Sequence, residues 1–327
     1  DNQADGTTTA GHGSFVSSIA AARLDGNARA GNIMGVAYNA QLIIGQMIFN
    51  QCEKDAQGNC RTNPDGSTIY KALGLNDAQS AEAINYVVSQ GVKVVNNSWG
   101  VGPSWSTSMA AAANEFATDQ PKTTAALINA VDKGAVVVFA AGNESIAWPG
   151  APATLPSVNA SLLSKGGWIV VAATTNRGVN GGQIEMAQFR NPLSSPAQAS
   201  DWYTNYCGDA KLYCISAPGG YVNPGNPGAD VGMSGALAGT TASYDKGNGT
   251  SYAAPVVSGA VALVAEKYPW MANKNLSVTI LTTGTTASNP SVVWGRGLLD
   301  LSKAINGPAI FEEDFEANVG KEYASTF

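Results

Sequence analysis

Histidine is nearly absent: the 327 residues hold one, His12. A site built from several imidazoles is excluded, and any step that needs an imidazole near neutral pH must use this one. Charge is scarce as well. Asp, Glu, Lys and Arg make up 13% of the chain, against about 25% in an average globular protein, so the surface is polar through amides and hydroxyls. Basic residues are outnumbered 18 to 24, for a net charge of −6. That leaves no positive stripe for phosphates, and no nucleic-acid partner or anionic membrane surface is expected. No apolar run approaches the roughly 18 residues that span a bilayer, so membrane insertion of this segment is not expected. The opening "DNQADG" lacks the charged and apolar regions of a signal peptide, and a targeting segment, if the protein has one, lies outside these residues. There is no internal repeat.

The four cysteines form two close pairs, Cys52 with Cys60 in "CEKDAQGNC" and Cys207 with Cys214 in "CGDAKLYC". Both are flanked by polar, turn-forming residues. Metal binding competes with disulfide formation, but there is no second histidine and neither spacing is C-x-x-C. Two short disulfide loops are the favoured reading, and they point to an oxidising compartment.

What is present is an alternation. Short β-branched runs, "AQLIIGQMI" (40–48), "VKVVNNS" (92–98), "AVVVFAA" (135–141) and "WIVVAAT" (168–174), are separated by stretches at helical spacing. Those stretches are "AQSAEAINYVVSQG", with Ala81, Ile84, Tyr86, Val87 and Val88 largely on one side, and "TTAALINAVDKG"; both stop at glycine, Gly91 and Gly134. The pattern predicts an α/β fold with a doubly wound, mainly parallel sheet and helices on both faces. Residues 103–121 and 149–167 read as insertions or long loops, and 178–249 as turns with short strands. Length alone does not separate one large domain from two smaller ones.

In such sheets the reactive crevice lies beyond the carboxyl ends of the strands. Two of these ends, "NNSWG" and "AAGNE", finish in small or amide-bearing residues. "GNGTSYAAPVVSGAVALVAEKYPW" opens on a glycine-flanked turn and becomes an apolar helix after Ser251, with Pro255 tolerable in the first turns. Ser251 then meets orphan N–H groups and the positive end of the helix dipole, a suitable place for a nucleophile whose product is an oxyanion. Taken alone, "GTS" would be an ordinary helix cap, "AAGN" an asparagine closing a strand, and His12 a loop residue.

Together they change meaning. "HGSFVSSIAA", "AAGNE" and "GTSYAAPVVSG" resemble, motif by motif and in order, the subtilisin-like serine proteases (subtilases, peptidase S8 family). His12 to Ser17 fits H-G-[ST]-x-[VIC]-[SA], and Gly249 to Pro255 fits G-T-S-x-A-x-P. The resemblance implies Ser251 as nucleophile, His12 as general base, Asn143 as oxyanion-hole donor, and Ser98, Trp99 and Gly100 as the strand that pairs a polypeptide substrate. For Trp99 core packing is an equal expectation. A lipase-type α/β-hydrolase is disfavoured: no G-x-S-x-G elbow is present and the histidine precedes the serine.

A finer resemblance, carried by "LPSVNASLLSKGGWIVVAATT", "YCGDAKLYCISAPGG" and "GRGLLDLSKAINGPAIFEEDF", is to the subtilase passenger domains of autotransporters. It implies a secreted or surface-displayed endopeptidase of a Gram-negative bacterium. Residues 1–306 would form the peptidase domain and 307–327 the start of a connector. No cofactor is expected, and a monomer is. Structural calcium is common in the family, yet "NPDGST" and "EKDAQGN" read more simply as turns and no ligand is assigned. The family's aspartate, in a D-[ST]-G motif ending a buried strand, has no counterpart: eleven residues precede His12, and neither Asp1 nor Asp5 follows an apolar strand. The expectation is a sheet lacking its first strand and a chain that is weakly active or inert as it stands. The competing expectation is a non-catalytic passenger serving as adhesin or scaffold.

Overall fold

The computed structural model describes residues 11–23, 33–101, 108–180, 183–187, 203–220, 232–236 and 244–307. In chain order its elements begin with α1 (His12–Ala21), β1 (Ile48–Cys52), β2 (Tyr70–Gly74), α2 (Asp77–Ser89), β3 (Val94–Asn97), α3 (Met109–Asp119) and α4 (Pro121–Asp132). They continue with β4 (Val136–Ala140), α5 (Ala160–Lys165), β5 (Trp168–Asn180), β6 (Gln183–Met186), β7 (Cys214–Pro218), β8 (Met233–Ala236) and β9 (Tyr244–Gly247). The last three are α6 (Thr250–Lys267), α7 (Asn273–Thr282) and α8 (Leu301–Ile305).

The main sheet places β3, β4, β5 and β7 side by side and parallel, with Val94 opposite Val136, Val137 opposite Trp168 and Val170 opposite Cys214. β6 folds back antiparallel on the far half of β5. Residues 136–139 and 169–173 are wholly buried. Successive strand residues point to opposite faces, so burial of every one means that both faces are covered. Each such Val, Ile or Phe stabilises the fold by about 1.5–3 kcal/mol relative to exposure. The helix α6 lies across β3, β4, β5 and β7, while α4 and α7 contact β4.

The helices start where their sequences say. Asn76 caps α2 and Gln79 reaches back to the Asn76 N–H, a reciprocal box; the Asp77 carboxylate accepts from the N–H groups of Lys122 and Thr123, the orphan donors opening α4. Desolvation raises the Asp77 pKa, and those bonds together outweigh it to leave the carboxyl below its ordinary value. Small residues bring α1 against α6, and so closely that a side chain at Gly259 would strike Val36 and the Ala20 carbonyl.

Several expectations need correction. The run at 40–48 is no strand of the main sheet: Ile48 opens the β1–β2 hairpin, and residues 40–47 lie outside any strand. Leu42, Ile43 and Ile44 are 49%, 37% and 52% exposed. The run has the composition of a buried strand, yet residues 40–47 take no strand geometry. Between it and β3, the edge of the sheet, lies a cleft of about 910 Å³. The segments read as long loops hold helices, since α3 occupies 109–119 and α5 160–165. Met109, Ala112, Ala113 and Phe116 do make an apolar stripe, but alanines write it faintly. On α2, Ala81, Ile84 and Val88 are buried whereas Tyr86 is 60% exposed. Both cystines form, Cys52–Cys60 on the hairpin and Cys207–Cys214 at the entry to β7, and no described cysteine is free. Asp1, Asp5 and the expected connector beyond Gly307 lie outside the described residues. No described helix is long and apolar enough to cross a membrane.

Candidate active site

Four strand or helix ends meet at one edge of the sheet. Thr250 and Ser251 open α6, Ser98 follows β3, Asn143 follows β4, and His12 opens α1. Ser251 Oγ donates to the Ser98 carbonyl at 3.3 Å, and Ser98 Oγ donates to the Ser251 carbonyl at 2.7 Å. Behind Ser98 the asparagines of "NNS" form a relay. Ser258 Oγ of α6 donates to Asn96 Oδ1 at 2.8 Å and Asn96 Nδ2 to Ser98 Oγ at 2.9 Å, which locks the end of β3 onto α6. Asn97 is buried and bonds the carbonyls of Val95 and Val138.

Asn143 is aimed rather than merely near. Its Oδ1 accepts from both the Thr250 N–H and Thr250 Oγ1 at 2.9 Å, and Thr250 Oγ1 in turn accepts from the Gly142 N–H at 3.1 Å. A carboxamide whose oxygen is bound twice on one side presents its NH2 on the other. The Ser251 N–H, an orphan of the first turn of α6, takes no acceptor among the described residues. A β-carbon placed on Gly249 would sit 3.7 Å from Asn143 Nδ2 and 3.7 Å from the Ser251 nitrogen. Asn143 Oδ1 lies 3.8 Å from the same point, so the Asn143 amide and the Ser251 nitrogen border one small space beside Gly249.

His12 stands at the first position of α1, exposed to solvent, with its ring centroid 5.9 Å from that of Tyr252, the residue after Ser251. Tyr252 also packs on Phe15 at 4.5 Å. Partial desolvation holds the imidazole below the ordinary 6.5. No hydrogen bond joins His12 to Ser251 and no described carboxylate pairs with it. The fold brings the two side chains to neighbouring elements in contact through Tyr252.

Trp99 turns inward, its Nε1 donating to Asn97 Oδ1 at 3.0 Å and its ring edge-on to Phe139 at 5.5 Å. Its side chain belongs to the core, and its backbone with that of Gly100 remains the part a bound peptide could pair. The cleft beside β3 is bordered at one end by His12 and by Ser98, Trp99 and Gly100, while Ser251 and Asn143 lie outside its lining. Sequence reading missed Thr250, visible only as the middle of "GTS", and Asn205, which has no motif of its own.

The Subtilase family (Peptidase S8) model matches residues 1–297. The chain is 33% identical over 190 residues, 57% of its length and 16% of the relative's, to the Neisserial autotransporter lipoprotein NalP of Neisseria meningitidis serogroup B. It is 26% identical over 350 residues to an extracellular serine protease of Serratia marcescens, covering 92% of this chain and 28% of that one. The chain thus spans only a part, a third or less, of these curated relatives. Among solved structures, proteases from Pseudoalteromonas arctica superpose with a TM-score of 0.58 at 21% identity over 90% of this chain and 70% of theirs. Sphericase superposes at 0.52, with 22% identity, over 84% and 69%. Fold, motif order and family match agree: this chain belongs to the subtilase family.

Proposed function

We propose that the site cleaves peptide bonds through an acyl-enzyme, with a polypeptide as substrate. The observation that carries this reading is that the Asn143 amide, its oxygen held by Thr250, and the Ser251 nitrogen border one space beside Gly249, with the Ser251 hydroxyl on the same helix turn. An extended substrate pairs with the backbone at Ser98 to Gly100. His12 takes the proton of Ser251 Oγ as the oxygen attacks the scissile carbonyl, and the carbonyl oxygen becomes an oxyanion held by the two N–H donors. His12 then passes that proton to the leaving amine, and water, deprotonated by the same imidazole, releases the acyl group. Desolvation shifts the His12 equilibrium toward the neutral imidazole, the form a base needs. Removing an oxyanion-hole asparagine from a subtilisin costs roughly 10²–10³ in kcat, a figure taken over from that enzyme.

The third member of the triad is assigned to an extended segment that enters the cleft between residues 40–47 and β3 and ends in an aspartate beside His12. Support comes from the edge of β3, unpaired among the described residues, the exposed Leu42, Ile43 and Ile44, and the presence of His12 among the residues lining the cleft. Codons upstream of Asp1 that encode an apolar strand ending in D-S-G or D-T-G are the expected finding. Export to the outside or display on the surface of a Gram-negative cell is proposed from the autotransporter and extracellular relatives and from the two cystines. A fluorophosphonate probe tests the chemistry. The full-length protein should be labelled at Ser251 and should digest casein. If it stays unlabelled and hydrolyses casein no faster than its Ser251→Ala variant, the reading fails.

A further inference from the structure

We propose that Asn205 is a positioning residue that sets the aim of the Asn143 amide; this rests on the peptidase reading above. The loop carrying Asn143, residues 141–146, has neither helix nor strand geometry. It includes Gly142 at φ +107° and Ser145 at φ +58°, a conformation few non-glycine residues adopt. Something outside the loop must hold it. Asn205 is wholly buried, and its carboxamide uses every bond it can make on this loop. Nδ2 donates to the Ala141 carbonyl at 3.0 Å and to Glu144 Oε2 at 2.6 Å. Oδ1 accepts from the N–H groups of Glu144 at 3.0 Å and Ile146 at 3.2 Å. Its own N–H donates to the Gly142 carbonyl at 3.0 Å.

These bonds end on the residues flanking Asn143 and none of the side-chain bonds ends elsewhere in the core. A β-carbon at Gly142 would strike the Asn205 amide and the Glu144 carboxylate, so this close approach of Asn205 to the loop needs glycine at 142. Thr250 and Asn205 act from opposite sides, Thr250 holding the Asn143 side chain from α6 and Asn205 holding the backbone around it. Asn205 is itself well anchored. Thr204 Oγ1 accepts from the Ala173 N–H of β5, the Tyr206 N–H reaches the Ile146 carbonyl, and Cys207 is tied covalently to Cys214 at the start of β7. The rigidity of the sheet is thereby transmitted to an otherwise irregular loop.

The test uses the full-length chain and a chromogenic peptide anilide. Asn205→Ala should lower kcat roughly tenfold to a hundredfold, within the loss of the donor itself, and leave KM within about twofold. In the Asn143→Ala background the same substitution should change kcat by less than about twofold, because the group it positions is gone. Losses that multiply, or a loss carried by KM, overturn the proposal. An arm independent of activity follows amide exchange in the Ser251→Ala protein. The Glu144 and Ile146 amides should exchange at least about tenfold faster after Asn205→Ala while β4 and β5 amides do not change. Unchanged loop amides overturn it, even if the wild type proves inactive and the peptidase reading falls separately. Should Asn205→Ala fail to fold, a swapped pair decides. Asn205→Asp sets two carboxylates together, and adding Glu144→Gln restores an amide-to-carboxylate bond. Recovery of kcat relative to Asn205→Asp alone is expected, and no recovery refutes the positioning role.

Discussion

Replacing Thr250 by valine removes one oxygen and keeps the shape of the side chain. That oxygen is buried, accepts from the Gly142 N–H at 3.1 Å and donates to Asn143 Oδ1 at 2.9 Å. A buried donor left without a partner costs about 1–3 kcal/mol, and Gly142 is half-buried, so the lower figure applies; the lost second bond adds about 0.5–1.5 kcal/mol. The expected destabilisation is about 2 kcal/mol, read as a lower urea midpoint at unchanged slope. Thr250 N–H still holds Asn143 Oδ1, so the amide keeps one of its two restraints. With about 1 kcal/mol less to fix its orientation, kcat falls about fivefold, since 1.4 kcal/mol is tenfold, and KM barely moves. Thr250→Ser keeps the hydroxyl and should retain kcat within about twofold of wild type. The measurements are a urea melt and steady-state hydrolysis of a peptide anilide by the full-length enzyme. If Thr250→Val matches wild type in both, or Thr250→Ser loses as much as Thr250→Val, the hydroxyl does not aim the amide.

Gly249→Ala places a methyl group between the two donors, so kcat should drop by an amount like that of losing one, roughly 10²–10³; a variant within about threefold of wild type contradicts the placement of the hole. The single histidine gives a single imidazole resonance, which makes its titration directly readable by NMR. In the 327-residue chain its midpoint should fall below 6.5 because desolvation disfavours the charged ring. The unfolded chain then binds the proton more readily, so this group's penalty on folding is absent above pH 6.5 and grows as pH falls through it. A midpoint at or above 6.5 in this chain contradicts the assignment, whereas seating an aspartate beside the ring should raise it. Tyr252 follows the proposed nucleophile and cannot form a sulfoxide, so brief peroxide treatment should spare activity, while Tyr252→Met should become sensitive. Equal rates of inactivation for the two proteins refute that.

Periodicity and turn chemistry carried most of the fold. β3, β4 and the first half of β5 lie where β-branched runs were flanked by glycine-stopped helices, because strands buried on both faces need continuous apolar sequence. The run at 40–46 has the same composition and fails as a strand, since pairing depends on a neighbour and composition does not record one. Alanine-rich α3 was hidden for the opposite reason: its burial comes from small side chains that carry little hydrophobic contrast. Ser251, Asn143 and His12 were legible as short motifs with local backbone requirements. Asn205 was not, because its function is defined by a loop some 60 residues away in sequence and by geometry that appears only when β4 and β7 lie on either side of β5.

The open border of β3 has a consequence for how the molecule behaves in solution. Among the described residues, a ladder of unpaired backbone groups faces three exposed aliphatic side chains across the cleft. Such an edge is a template for strand addition by any chain that reaches it. A segment entering there would extend the β3 ladder and cover the aliphatic side chains of Leu42, Ile43 and Ile44 in one step. With the edge open, the chain carries both an added-strand template and an aliphatic wall beside it.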